Sequence, residues 1–282
     1  MCSENACLKT KKHEKRGNTM SKKEGIIAFF DILGYQNFLE SNSIEYCIAV
    51  IEEIIIKLPE ETKNERFGFY TGKDVTMNDV KKYFDDHCDV IFVSDTIIFF
   101  FDFDSVENCS IPLYLHQILF YLLFFTSKSF EKGFPLRGYV DYGEYYYNNN
   151  KNINIFAGET IVNCYKETNN LNFSGLVISN KSHEHYLKYK NKIIDETFKE
   201  RYNIIFDKNI IAKYLVNTKE GEKEEFVVNF LLGFDRIDIT QYIFESFHKH
   251  NKKISNDVME KIGNTEKLFR YFKYNNDLMY PC

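Results

Sequence analysis

The sequence has no tryptophan, no Cys-x-x-Cys pair, no excess of basic charge and no apolar run long enough to cross a bilayer. Most of these absences close off a class of function. A formal net charge of −5 removes the basis for sequence-independent nucleic-acid binding, which needs a cationic face to release counterions. The cysteines, at Cys2, Cys7, Cys47, Cys88, Cys109, Cys164 and Cys282, are scattered, so no zinc site is spaced among them. Their odd number, and the lack of an apolar core in the polar, Lys-rich residues 1–24, point to reduced thiols and a cytoplasmic location. The most apolar segment, residues 111–125, contains His116 and Gln117 and falls short of the ~20 residues of a membrane span, so it reads as a core helix. No internal repeat is visible, and no linker demands independent domains.

What is present is a chain of 282 residues, 44% apolar and 17% aromatic, enough for one large domain or a domain with an appendage. It is organised around Ile26-Ile27-Ala28-Phe29-Phe30-Asp31-Ile32-Leu33-Gly34-Tyr35. Five apolar residues between Gly25 and Asp31 suit a strand covered on both faces. An acid ending such a strand cannot stay buried and ionised without a partner and is expected at the sheet edge, facing water, a cation or a phosphate. Gly34 allows a turn and a close backbone approach, and the free N–H groups of the helix that follows point to the same place. A second stretch, residues 90–101, places Ser94-Asp95-Thr96 between two apolar runs and reads as a tight hairpin. If the two strands pair, Asp31 and Asp95 can share a divalent cation; each acid alone is equally readable as a turn or cap residue.

The remaining elements follow in order. A helix is expected over 35–58, stopped by Pro59, then a charged insertion or irregular hairpin over 60–86. The hairpin around Asp95 spans 88–103. A long helix over 112–132 ends at Gly133. Residues 134–144 read as a strand, 145–152 as a turn or hairpin tip, 159–169 as a third helix and 175–179 as another strand. This β-α-β-β-α-β-α-β order is an α+β, ferredoxin-like core with a mainly antiparallel sheet and helices on one face. Residues 1–24 read as a disordered tail, 25–180 as the core domain and 181–282 as a C-terminal α/β extension. Strands are expected in it at 204–206 and 225–231, with helical periodicity near the end.

Phe30-Asp31-Ile32-Leu33-Gly34-Tyr35, Ser94-Asp95, Arg137-Gly138 and Gly158-Glu159-Thr160-Ile161-Val162-Asn163 fall in an order that resembles the class III nucleotidyl cyclase domain. Within it, the Asp-Ile-Leu-Gly and Ser-Asp-Thr wording, residues 225–231 and Lys261-Ile262-Gly263-Asn264-Thr265 look most like the pyrimidine cyclases of the bacterial Pycsar antiphage system. The resemblance implies two divalent ions, Mn²⁺ or Mg²⁺, at Asp31, Ile32 and Asp95. It also implies a phosphate cradle from the backbone of Ile32, Leu33, Gly34 and Tyr35, and a homodimer with active sites between subunits. The product, a 3′,5′-cyclic nucleotide second messenger, would act on a separate effector; no nucleic acid and no membrane is implied as a partner.

The departures from that pattern bear on the substrate. Ile91 and Ile155 stand where purine-using members place base-reading polar groups, which points to UTP or CTP. The family's transition-state Asn falls on Val162 and its Arg on Lys166; Asn163 lies one position away, and Lys166 lacks the planar guanidinium fork. Arg137 is a candidate for base or phosphate contact, or for an ion pair with an acid such as Glu144. Tyr35 and Tyr139 can stack on a base or simply pack. Three other readings stay open: a purine cyclase, a degenerate cyclase-like nucleotide binder, and a ferredoxin-like interaction module.

Overall fold

The computed structural model describes residues 22–66, 84–104, 111–150, 153–190, 210–230 and 238–277, with positions 82, 106, 199, 200 and 203. The strand β1 (Lys23–Ile32) is central. It pairs antiparallel with β3 (Thr96–Asp102) on one side and with β4 (Leu136–Asn150) on the other. Its side chains alternate between two buried layers, as a strand's period of two requires. Ile26, Ala28, Phe30 and Ile32 enter one cluster, Ile27 and Phe29 the other. The β2 strand (Cys88–Val93) forms the hairpin with β3, and β6 (Gly175–Ile178) lies parallel to β4. All other pairings are antiparallel, so the fold is mixed α/β with a mainly antiparallel sheet, as expected from the sequence.

The first face is covered by α1 (Tyr35–Ser41), α2 (Ile44–Ile51), α3 (Leu58–Arg66) and α4 (Ile111–Glu131). Gly133, at φ 87, ends α4 as anticipated, with its N–H bonded to Phe130 O and that of Phe134 to Ser129 O. No helix among the described residues is long and apolar enough to cross a membrane. Helices were expected on one face only. The second face is also covered, by α5 (Glu159–Asn170), whose Ile161 and Cys164 pack with Ile27, Phe29 and Phe100. That burial follows from the apolar side chains on both sides of β1.

Three local expectations are corrected. Pro59 does not stop the first helical region: a π-helical segment (Glu52–Lys57) precedes it, and α3 runs through the proline. There the Leu58 N–H bonds Glu53 O, five residues back, and this wider turn makes room for a ring that would clash in a regular α-helix. Residues 145–150 are strand, because Tyr145 and Tyr147 are buried and Tyr147 stacks on Phe100 at 4.6 Å. The β5 strand (Ile153–Ala157) closes that hairpin. In the C-terminal part the strand expected at 225–231 is β8 (Gly221–Val228), and it pairs with β7 (Ile211–Thr218), which was not expected.

β8 also pairs with β6. The strand order is therefore β2-β3-β1-β4-β6-β8-β7, and the C-terminal residues prolong the core sheet. The α6 (Asn180–Lys190), α7 (Ile239–His248) and α8 (Asn256–Asp277) helices complete the layers. Of the other expectations, the tail up to residue 21, residues 67–81 of the insertion and the strand at 204–206 lie outside the described residues; Lys23 and Glu24 begin β1.

Candidate functional site

Asp31 is the last acid before β1 runs into Ile32 and turns. Across the sheet its register partners are Thr96 on β3 and Arg137 on β4. Pairing with β3 thus brings the β2–β3 turn beside Asp31. Ser94 adopts φ 57 there, the positive φ that two-residue hairpin turns demand. Asp95 follows, and its carbonyl accepts the Ile32 N–H at 2.9 Å. The Asp31 carboxyl senses Asp95. Burial pushes the Asp31 carboxyl up from its ordinary value, Arg137 opposes this, and Asp95 pushes it up further. Asp95 also raises the Tyr35 phenol, after burial.

Arg137 is 9% exposed and committed. Its Nε donates to Asp31 Oδ2 at 2.7 Å, Nη1 to the carbonyls of Asn169 and Leu171 at 3.2 Å, and Nη2 to Asn169 Oδ1 at 3.2 Å. Its acid is Asp31. Glu144, the alternative partner weighed from the sequence, pairs with Lys22.

Beyond Asp31 the chain turns at Gly34, at φ 77, into α1. The Ile32 and Leu33 N–H groups are taken by Asp95 O and Pro135 O, so a phosphate cradle at residues 32–35 is left with the main chain of Gly34 and Tyr35. Asp31, Asp95, Arg137 and residues 32–35 line one cleft of about 440 Å³. Its other wall was not legible in the sequence: Lys252, Lys253, Asp257 and Lys261, from the segment joining α7 to α8 and from α8 itself. Besides the Lys261–Thr265 stretch quoted for the resemblance, the basic run 248–253 is a signal that could have drawn attention there. A larger cavity, about 770 Å³, lies at the Lys23 end of β1 and β4 and holds neither aspartate; the smaller cleft is the candidate because the carboxylates converge on it.

The remaining candidates lie apart from these. Asn163 points at Asp141, a buried carboxylate that also accepts from Ser179 Oγ at 2.6 Å. Lys166 is exposed on α5. Ile91 is buried in the second cluster at 3% exposure, while Ile155, on β5, is 48% exposed. Tyr139 is core, packed in the same cluster as Ile91.

Among the described residues no group of three or more His, Cys, Asp or Glu side chains converges as a metal cage. The pair Asp31 and Asp95 offers hard carboxylate oxygens, the donor type that Mg²⁺ and Mn²⁺ take when substrate phosphates complete the shell. Their mutual repulsion is what a divalent cation would relieve.

No protein-family model matches the chain, and no curated protein is similar to it. Among solved structures it is similar to the catalytic core of a rhodopsin-guanylyl cyclase with converted specificity in complex with ATPalphaS, with 12% identity, TM-score 0.44, and coverage of 74% of this chain and 97% of that one. It is similar to the adenylyl cyclase CyaB from P. aeruginosa, with 12% identity, TM-score 0.41, and coverage of 74% and 95%. It is similar also to a bacterial light-regulated adenylyl cyclase, with 13% identity, TM-score 0.42, and coverage of 80% and 99%.

Proposed function

We propose that this chain is a metal-dependent nucleotidyl cyclase acting on a nucleoside triphosphate in the Asp31–Asp95 cleft. The observation that carries the reading is the convergence of these two strand-end carboxylates beside the Gly34 turn in one cleft. In the proposed reaction the ribose 3′-oxygen forms a bond to the α-phosphorus, the bond to the β-phosphate oxygen breaks, pyrophosphate leaves and the hydroxyl proton passes to solvent. Asp31 and Asp95, with Ile32 beside them, would hold Mg²⁺ or Mn²⁺, which supplies charge neutralisation on the phosphates and lowers the pKa of the hydroxyl. Arg137 fixes the Asp31 carboxylate and favours its ionised form against burial. Gly34 and Tyr35 offer main-chain contacts to phosphate.

The finer parts of the proposal concern base and assembly. In the resembled family, purine-using members carry base-reading polar groups at the positions of Ile91 and Ile155, and that sequence correspondence favours UTP or CTP, with UTP first; neither side chain lines the cleft of this chain. The cyclic product is then a second messenger for a separate effector chain. The working form is a homodimer: Val162 and Tyr165, one turn apart on α5, leave apolar side chains 62 and 57% exposed on one side of that helix. Lys166 lies on the same helix and would enter the partner's cleft. The test is incubation with each of the four ribonucleoside triphosphates and Mn²⁺, with products read by mass spectrometry. Cyclic UMP or CMP is expected. Cyclic AMP or GMP as the main product overturns the base reading and selects the purine alternative. No cyclic product overturns catalysis and selects the degenerate binder.

A further inference from the structure

Part of the cleft's wall belongs to residues more than 150 positions beyond either aspartate in the chain. The link between α7 and α8 is tied to both ends of α1. Asn42 Nδ2 donates to His250 O at 2.8 Å, Asn251 Nδ2 to Asn42 Oδ1 at 2.9 Å, and the Lys253 N–H to Asn37 Oδ1. Lys252 is 2% exposed, and its ammonium bonds Gly133 O and Ser246 O. Its stem runs against the phosphate turn, since a Cβ on Gly34 would come within 3.3 Å of Lys252 Cδ. These ties hold the first turns of α8 rigidly against the cleft, which is what precise placement of a charged group requires.

On that rigid helix stands Lys261. Its side chain is only 13% exposed, and its ammonium is bonded to Asp257, whose own side chain is 68% exposed. A solvated carboxylate one helical turn away is a weak partner, easily displaced by a multiply charged anion. Around Lys261 positive charge is crowded: the Lys219 ammonium is pushed below its ordinary value by burial, then by Arg137 and Lys261. Arg137 is spent on Asp31, which leaves Lys261 as a cation of the cleft wall with an exchangeable partner.

We infer that Lys261 binds the terminal phosphates of the nucleoside triphosphate in the same chain that supplies Asp31 and Asp95, with Asp257 occupying its ammonium until the anion displaces it. The inference rests on the cleft being the triphosphate site proposed above, but not on cyclisation taking place. It makes the C-terminal helix part of the binding machinery: it supplies the charge that holds the phosphates and later the pyrophosphate.

The experiment measures binding of inorganic pyrophosphate with Mg²⁺ by calorimetry on the full chain, for wild type, Lys261→Gln, Lys261→Arg and Asp257→Asn. Loss of one charge-assisted contact should weaken binding about tenfold in Lys261→Gln, and Lys261→Arg should retain most of the affinity. Asp257→Asn should bind about two- to threefold more tightly, since the competitor is gone. A merely structural pair would make the Gln and Asn variants behave alike, so the opposite signs are the decisive readout. No pyrophosphate binding by wild type, unchanged binding in Lys261→Gln, or weaker binding in Asp257→Asn each overturns the inference. If Lys261→Gln does not fold, the Asp257→Asn result alone decides it. Lys261-dependent binding without any cyclic product would sustain this inference while overturning the cyclase reading. Cyclic product with an unchanged KM in Lys261→Gln would do the reverse.

Discussion

Replacing Arg137 by methionine removes the guanidinium that organises the cleft while keeping an apolar stem of similar length. Four donor contacts disappear: one to Asp31, two to the carbonyls of Asn169 and Leu171, and one to the Asn169 side chain. The ion pair is nearly buried, with side chains 10% and 16% exposed. Breaking a buried pair costs about 3–5 kcal/mol because one charge is left uncompensated; the residual exposure places this case near the lower end, at about 3 kcal/mol. For a chain of this size that corresponds to a fall of roughly 6–12 °C in Tm.

The pH dependence of that loss is the sharper test. The Asp31 carboxyl already lies above its ordinary value because burial outweighs Arg137. Without Arg137 it rises further, so the folded state binds this proton more tightly than the unfolded chain does. Stability of Arg137→Met should therefore recover as the pH falls toward and through that raised value, as Asp31 becomes neutral. Urea unfolding near pH 8 and again near pH 5 should show a shrinking difference from wild type, and adding Asp31→Asn to the variant should restore part of the loss near pH 8. A loss below about 1 kcal/mol, or one that does not change with pH, would refute the reasoning that Arg137 exists to compensate Asp31.

Asp95→Ala should fold with a urea midpoint equal to or slightly above wild type, since it relieves the repulsion on Asp31, while Mn²⁺ should raise the Tm of wild type and not of this variant. The Lys252 ammonium is pushed down to about 7, by burial and then Lys249. The unfolded chain therefore holds a proton that the folded chain releases, and wild type should gain stability from about pH 7 toward pH 10. Lys252→Met should lack that gain in pH-dependent unfolding curves. Val162→Glu should shift the protein to monomer in sedimentation, because it charges an exposed apolar position on α5. Mixing inactive Asp31→Ala and Lys166→Ala subunits should restore up to about a quarter of wild-type turnover if sites are shared across a two-fold dimer, and no recovery after verified exchange would count against sharing.

Much of the core was readable from local pattern. The alternating side chains of β1, the hairpin around Asp95, α4 with its Gly133 stop, α5 and β6 are decided by neighbours in the chain: a period of two or 3.6, a glycine with positive φ, an apolar run bounded by polar residues. The same patterns placed Asp31 and Asp95 at strand ends. They could not say that Arg137, 106 positions away, would stand opposite Asp31, because register is set by the packing of a whole sheet face. Nor could they reveal that a π-helical segment would carry the chain through Pro59, or that a charged strand would join the sheet through β6. Lys261 makes the difference plainest. In sequence it is one lysine on an amphipathic helix, a solvated charge by default. It becomes part of the cleft only because Lys252 and the links to Asn37 and Asn42 fold the C-terminal helix back onto the Gly34 turn, a placement determined by contacts between distant segments and by no residue beside it.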